Sequence, residues 1–301
     1  MALKNILFLA PENPLDAFTA TGVLANIIEQ EPEARLTIVS RFDGLDFYQN
    51  APARLEFLTY RDLSHWRERM ALASQVLGRF YHRIIAMGDF RVPYILWAKH
   101  RHVFEFASGA YRLPHLYQSD TQTPPVLWLD DRKHVPLPEN LAANAPLIVV
   151  SPGEAGRAQW NGKLYAELAW RLSNADEAFA NAHMIVLAKT EENDDLAASI
   201  VADIEKNIPA GQRTILTGLS YTKQVALLQR ASVVLGADQL TARMAATVQA
   251  PLVVRLDAAG HAPPLCPYNL YAGTLASDLA SFIATELSKP ATDSGLSVTP
   301  S

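Results

Sequence analysis

Short, unbroken apolar runs, each stopped by a turn residue and separated from the next by a stretch of helical periodicity, constrain this chain more than any other feature. "NILFLAP" at 5–11 halts at Pro11, and "ARLTIVSR" at 34–41 and "RLEFLTY" at 54–60 repeat the pattern. A strand that alternates apolar with polar residues has one wet face, whereas a continuous run is buried on both faces, as in a parallel sheet. Between the first two runs, Phe18, Val23, Leu24, Ile27 and Ile28 of "AFTATGVLANIIEQ" fall near helical spacing, so the first forty residues read as a βαβ unit. The same reading predicts a helix over 64–81, a strand "RIIAMGD" at 83–89, a helix around 92–101 and a strand "HVFEFA" at 102–107.

Residues 108–146 are rich in Pro, Asp and Asn and lack periodicity, and their end reads as a linker. A second series follows: "PLIVVSPGE" at 146–154, the helix "KLYAELAWRLSNA", "AHMIVLAK" at 182–189, a helix near 193–207 and "RTILTG" at 213–218. A helix over 220–230, "SVVLGAD", a helix from Thr241, "PLVVRLD" and a last helix at about 274–288 complete it. Strand and helix alternate throughout, which implies parallel sheets covered by helices on both faces. The expected organisation is an α/β protein with an N-terminal Rossmann-like domain at 1–145, a C-terminal one at 146–288 and a flexible tail at 289–301. A length of 301 residues suits two domains better than one.

Composition narrows the function classes. Hydrophobic residues at 49% and charged residues at 19% describe a globular protein. A net charge of -5 provides no general basic footprint for nucleic acid. Cys266 is the single cysteine, so no internal disulfide and no multi-cysteine zinc site can form, and the chain reads as cytoplasmic. Its surroundings suit a small buried thiol better than an activated nucleophile. "MALKNILFLAPENP" is not built like a secretory signal, and no apolar run reaches the roughly 20 residues that span a bilayer. His261 has no partner at metal-ligand spacing and no G-x-S-x-G elbow occurs, so neither a metal site nor a serine hydrolase is expected.

Four loops that follow a strand and precede a helix can carry chemistry, because parallel sheets bind ligands at the carboxyl ends of their strands. "PENPLDAFTAT" puts Asp16 at a helix start, as an N-capping carboxylate or as a general base. "SPGEAGRAQWNGKLYAEL" offers Ser151, Gly153, Arg157 and Trp160: glycine lets the backbone approach an anion, and a helix start supplies N–H groups. "LAKTEENDDLA" carries Glu191 and Glu192, either of which could accept a ribose hydroxyl, while Asp194 and Asp195 suit a helix N-terminus. In "GADQLTARM", Asp238 ends a strand, Gln239, Leu240 and Thr241 open the next helix, and Arg243 follows within its first turn. A cation there opposes the helix dipole unless an anion or a carboxylate lies near it.

"ILFLAPENPLDAFTATGVLANIIEQEPEARLTIV", "SPGEAGRAQWNGKLYAELAWRL" and "VVLGADQLTARMAATVQAPLVVRLD", in that order, resemble glycosyltransferase family 9, the lipopolysaccharide heptosyltransferases. The resemblance runs from about residue 5 to 270 and implies a GT-B fold, two Rossmann-like parallel-sheet lobes facing a central cleft, with acceptor on the first and nucleotide-sugar on the second. It implies that Asp16 is the base, and it puts Leu15 where the family has Gly. The family's Lys before Trp160 is missing, leaving Arg157 nearest, and its Asp-x-Gly-x-x-His helix start appears with Leu240 for Gly and Arg243 for His.

The expected activity is therefore inverting transfer of a sugar, such as a heptose, from a nucleotide-diphosphate sugar to a glycolipid or other envelope-glycan acceptor, with no metal or other cofactor. Two alternatives stay open: a non-catalytic GT-B protein that binds a nucleotide-sugar or glycan as a scaffold, and an epimerase or hydrolase that turns over donor without an acceptor. Residues 61–83, with five arginines, Trp66, Phe80 and Tyr81, read either as a solvated helix or as a peripheral contact with the inner face of the cytoplasmic membrane.

Overall fold

The computed structural model describes residues 4–62, 65–87, 95–104, 124–128, 145–152, 162–175, 179, 181–188, 195–236, 238–256, 269–271 and 276–288. The chain divides into two compact units. The first comprises Met1–His134 with Ser220–Gln224 and Pro263–Cys266, and the second comprises Val135–Leu219, Val225–Ala262 and Pro267–Ser301.

In the first unit, β1 (Asn5–Leu9), β2 (Arg35–Arg41), β3 (Arg54–Tyr60), β4 (Phe80–Met87) and β5 (Trp97–Phe104) form one parallel sheet in the order β3-β2-β1-β4-β5. Ile6, Leu7, Phe8 and Leu9 are buried on both faces, as an unbroken apolar run requires of a central strand. Helix α1 (Pro14–Gln30) covers one face with Phe18, Val23, Leu24 and Ile27 inward. The short 3-10 turn Asp43–Phe47 lies so close to β2 that a Cβ on Gly44 would meet the Ser40 hydroxyl at 2.9 Å.

Two expectations need correction here. The helix placed over 64–81 is α2 (Trp66–Val76), and residues 80–83 already belong to β4. The backbone is already extended at the C-cap Leu77 (ψ 145°), and Gly78, at φ 81°, then turns the chain toward β4. The helix placed around 92–101 is not formed at its C-terminal part, because Trp97–Arg101 belong to β5, paired in register with β4 from Phe80↔Trp97 to Met87↔Phe104. A strand with a sheet neighbour on one side only can carry Lys99, His100 and Arg101, and so lacks the apolar run that marks a central strand.

The second unit holds a six-stranded sheet in the order β11-β10-β9-β6-β7-β8, parallel at every pairing. Its strands are β6 (Leu147–Ser151), β7 (His183–Ala188), β8 (Arg213–Thr217), β9 (Val233–Gly236), β10 (Val253–Leu256) and β11 (Asn269–Tyr271). The connecting helices are α3 (Gly162–Ala175), α4 (Asp195–Asn207), α5 (Tyr221–Leu228), α6 (Gln239–Thr247) and α7 (Ala276–Ser288). The core beneath them gathers Ile148, Val150, Tyr165, Leu168, Met184 and Val233. The three-residue β11 was not expected from the sequence, being too short to show a period. No helix among the described residues is long and apolar enough to cross a membrane.

Candidate functional site

In the first sheet the chain leaves β1 through α1 to reach β2 on one side, while β4 lies on the other. The carboxyl ends of β1 and β4 therefore flank the point where the winding reverses, the usual ligand crevice of an open parallel sheet. Helix α1 begins there. Its cap is Asn13, whose side-chain oxygen accepts the Leu15 N–H at 2.9 Å, and Pro14 follows at the first helical position, where a missing N–H costs nothing. Asp16 is thus the third helical residue and half-buried, and the capping role that the sequence allowed it belongs to Asn13.

The first turns of α1 are pinned from outside. Buried Tyr48 donates its hydroxyl to the Ala17 carbonyl at 2.7 Å, and burial pushes its phenol well above the ordinary value, so it remains a donor. Thr19 donates to the Leu15 carbonyl at 2.8 Å, and Thr21 donates to the Phe18 carbonyl while accepting the Val126 N–H at 3.0 Å. Sequence reasoning missed Asn13 and Tyr48. The Asn-Pro pair was a legible helix-start signal, but nothing local points from Tyr48 to a residue 31 positions away.

In the second sheet the corresponding reversal lies between β6 and β9, whose carboxyl ends meet in the register pair Ser151↔Gly236. Helix α6 starts beside it. Asp238 is the cap, with one carboxylate oxygen accepting the Leu240 N–H at 3.2 Å and the other accepting the Thr241 hydroxyl at 2.9 Å. Ser151 Oγ lies 3.3 Å from Thr241 Oγ1. One hydroxyl proton cannot serve both partners and a carboxylate only accepts, so Thr241 gives its proton to Asp238 and Ser151 donates to Thr241. Ser151 and Thr241 are buried, and the chain from β6 to α6 is bound into one polar network.

Two residues of this loop lie differently from the expectation. Helix α6 starts at Gln239, so that Gln239, Leu240 and Thr241 open it as read from the sequence, but Arg243 is its fifth residue, in the second turn, where the opposition between a cation and the helix dipole has largely faded. Arg243 is buried, with 3% of its surface exposed. Leu240 is also buried, so its bulk is taken up by the fold. Asp16 belongs to the first unit, and Ser151, Asp238, Gln239, Leu240, Thr241 and Arg243 to the second. Gly153, Arg157, Trp160, Glu191 and Glu192 lie outside the described residues, as do Cys266 and His261. Among the described residues no group of three or more His, Cys, Asp or Glu is placed to hold a metal ion.

No protein-family model matches the sequence, and no curated protein does. Solved structures do match its fold. The Escherichia coli ADP-heptose lipopolysaccharide heptosyltransferase II is 16% identical, with 94% of this chain and 98% of that one covered and a TM-score of 0.68. The E. coli heptosyltransferase WaaC with ADP-2-deoxy-2-fluoro heptose is 14% identical over 93% and 99% of the two chains, with a TM-score of 0.61. A glycosyl transferase family 9 protein from Veillonella parvula is 12% identical over 90% and 84%, with a TM-score of 0.64. The fold anticipated from the sequence, α/β with two Rossmann-like parallel-sheet units of the GT-B type, is the fold of these structures.

Proposed function

We propose that the chain is an inverting glycosyltransferase that moves a sugar from a nucleotide-diphosphate donor to a hydroxyl of a glycolipid or other envelope glycan. The observation that carries this reading is the placement of Asp16. It stands in the first turn of α1, at the reversal point of the first sheet, while Asn13 supplies the cap. A carboxylate at the carboxyl edge of a parallel sheet, where ligands bind, is in the place a general base for an acceptor hydroxyl would occupy. The likeness to heptosyltransferase structures supports the same reaction class and makes ADP-heptose the first donor to try.

In this reading the Asp16 carboxylate takes the proton of the acceptor hydroxyl as that oxygen attacks the anomeric carbon. The bond from that carbon to the diphosphate breaks on the opposite face, and its electron pair leaves on the phosphate oxygen. The start of α6, with the backbone of Gln239–Thr241 held by Asp238 and Ser151, receives the diphosphate, and Arg157 and Arg243 supply positive charge. Gly153 gives the backbone close approach, Trp160 packs on the donor, and Glu191 or Glu192 holds the ribose. Cations and a helix start perform this electrostatic work without a metal. The donor comes from the cytoplasm, and the acceptor side meets the inner face of the membrane.

A second reading, a GT-B protein that binds a nucleotide-sugar without turnover, is favoured by one observation. Arg243, which stands where the family has its His, is buried in the second turn of α6 rather than presented at its start. Nucleotide release from ADP-heptose, with and without a lipopolysaccharide-core acceptor, separates the readings. Transfer predicts acceptor-dependent release that Asp16→Asn abolishes while donor binding persists. Binding without any release supports the scaffold, and release without acceptor supports a hydrolase or epimerase.

A further inference from the structure

Six of the eight large apolar side chains that stand exposed among the described residues fall between residues 66 and 97: Trp66, Met70, Leu77, Phe80, Ile95 and Trp97. Trp66, Met70 and Leu77 recur at spacings of four and seven, which places them on one stripe of α2 and its C-cap. Phe80 and Trp97 are register partners at the starts of β4 and β5, and Trp97 is 73% exposed. Scattered surface hydrophobics need no explanation, whereas Phe80 and Trp97 stand side by side on neighbouring strands and Trp66, Met70 and Leu77 share one helix stripe, the grouping that interaction surfaces show.

The charge around them selects the partner. The chain carries a net charge of -5, yet residues 61–83 and 95–104 together hold seven Arg and Lys against two acids. Arg79 and Arg83 are paired with Glu56 and Glu31 at 2.8 and 3.1 Å, so five cations weigh against the two acids. Both acids are engaged locally: Glu68 accepts the Arg61 and Asp62 backbone N–H groups at 2.8 and 2.9 Å, and Asp62 meets His65 at 3.0 Å. The Arg67 guanidinium lies 5.8 Å from the Trp66 ring centroid, a pairing of cation and indole suited to the boundary between headgroups and acyl chains. A second copy pairing through β5 would bring Lys99 and Arg101 of both copies together, and like charges facing across strands repel.

We propose that α2 and the β4–β5 edge form a docking surface for an anionic lipid bilayer, with Trp66, Phe80 and Trp97 entering the interface and Arg67 and Lys99 meeting headgroup phosphates. This docking surface extends the membrane contact named in the proposed function, and its test reads lipid binding and not transfer, so that failure of the one is distinguishable from failure of the other.

The test is flotation of the full chain with phosphatidylcholine vesicles, with and without about 30% phosphatidylglycerol, at low and high salt. Binding is expected only with the anionic lipid and weakens with salt. Phe80→Ser with Trp97→Ser, and separately Arg67→Glu with Lys99→Glu, each weaken it by at least about tenfold. Thermal melting and nucleotide binding of these variants remain at the wild-type level. Quenching of wild-type tryptophan fluorescence by brominated lipids needs no variant and is expected as well. Absence of that quenching, equal binding to neutral vesicles, or variants that bind as the wild type does would overturn the proposal. So would a dimer in light scattering that Trp97→Ser dissociates, because the patch would then be a self-association face.

Discussion

The starts of α1 and α6 occupy equivalent places, each beside the strand pair where its sheet reverses direction, yet they are built differently. A neutral amide, Asn13, caps α1, with Pro14 behind it and Asp16 one turn in. At α6 the acid itself is the cap, and Asp238 is tied by both oxygens to Leu240 and Thr241 and, through Thr241, to Ser151. One unit caps its helix with an amide and holds its acid within the first turn, and the other uses its acid as the cap. The proposed function puts proton transfer at the first start and ligand seating at the second, and the contrast is where that proposal can be tested.

The largest effect is expected at Asp16. Asp16→Asn should lower transfer by a factor on the order of 100 to 10,000 while costing no more than about 1 kcal/mol of stability, the size of a first-turn acid's interaction with the helix dipole. Release of nucleotide in the presence of acceptor measures the first and thermal melting the second. A variant that kept its activity, or that melted early, would erase the distinction between the two acids. Asp238→Ala comes next: it removes a cap and leaves Thr241 without its acceptor, so a loss of about 2 kcal/mol is expected, together with weaker donor binding. Asn13→Ala removes only a cap and should cost about 1 kcal/mol, with donor binding unchanged. Hydrogen exchange, faster in α6 for the one and in α1 for the other, locates each loss.

Tyr48→Phe sharpens the account of α1. The hydroxyl bond to Ala17 is worth about 1 kcal/mol, and its removal should speed exchange at the start of α1 while leaving α6 untouched. Uniform acceleration would mean that Tyr48 serves the whole core rather than that turn.

The smallest effect concerns pH and belongs to the second unit. His183 is buried, its Nε2 lies 2.8 Å from Thr214 Oγ1, and burial holds its pKa below the ordinary 6.5. Between its folded pKa and about 6.5 the unfolded chain binds the extra proton, so stability there rises with pH. The contribution is complete above about 6.5 and is lost as pH falls from there through the folded value. Melting at about pH 7.5 and 5.5 should therefore show a drop on acidification that His183→Gln diminishes. An equal drop in both proteins would assign the acid sensitivity elsewhere.

The parts of this fold that could be read from sequence are those where burial is total. "NILFL" and "LIVVS" sit at the centres of their sheets, and total burial leaves an unbroken apolar run. The first part of strand β5 was hidden because a strand paired on one side tolerates Lys99, His100 and Arg101, whose pattern then resembles a polar helix, while its end at 102–104 falls within the strand read at 102–107. The turn between α2 and β4 passes through Gly78, one residue whose left-handed backbone no periodicity reveals. The positions of Asp16 and Asp238 at two helix starts were legible because an acid between a strand and a helix is a local signal. The division of capping between Asn13 and Asp16, and the Tyr48 anchor, depend on where side chains meet in space. Arg243 was counted into the first turn of α6, whereas it is the fifth helical residue and belongs to the second.

Calorimetric titration with ADP-heptose of the wild-type protein, Asp16→Asn and Thr241→Val tests the central claim most directly. The account predicts binding that Asp16→Asn leaves within about twofold and that Thr241→Val weakens by about tenfold, since the start of α6 loses a hydrogen-bonding partner of Asp238 and Ser151. Binding lost in Asp16→Asn but kept in Thr241→Val, or no binding of any nucleotide-sugar across a panel of bases, would contradict it.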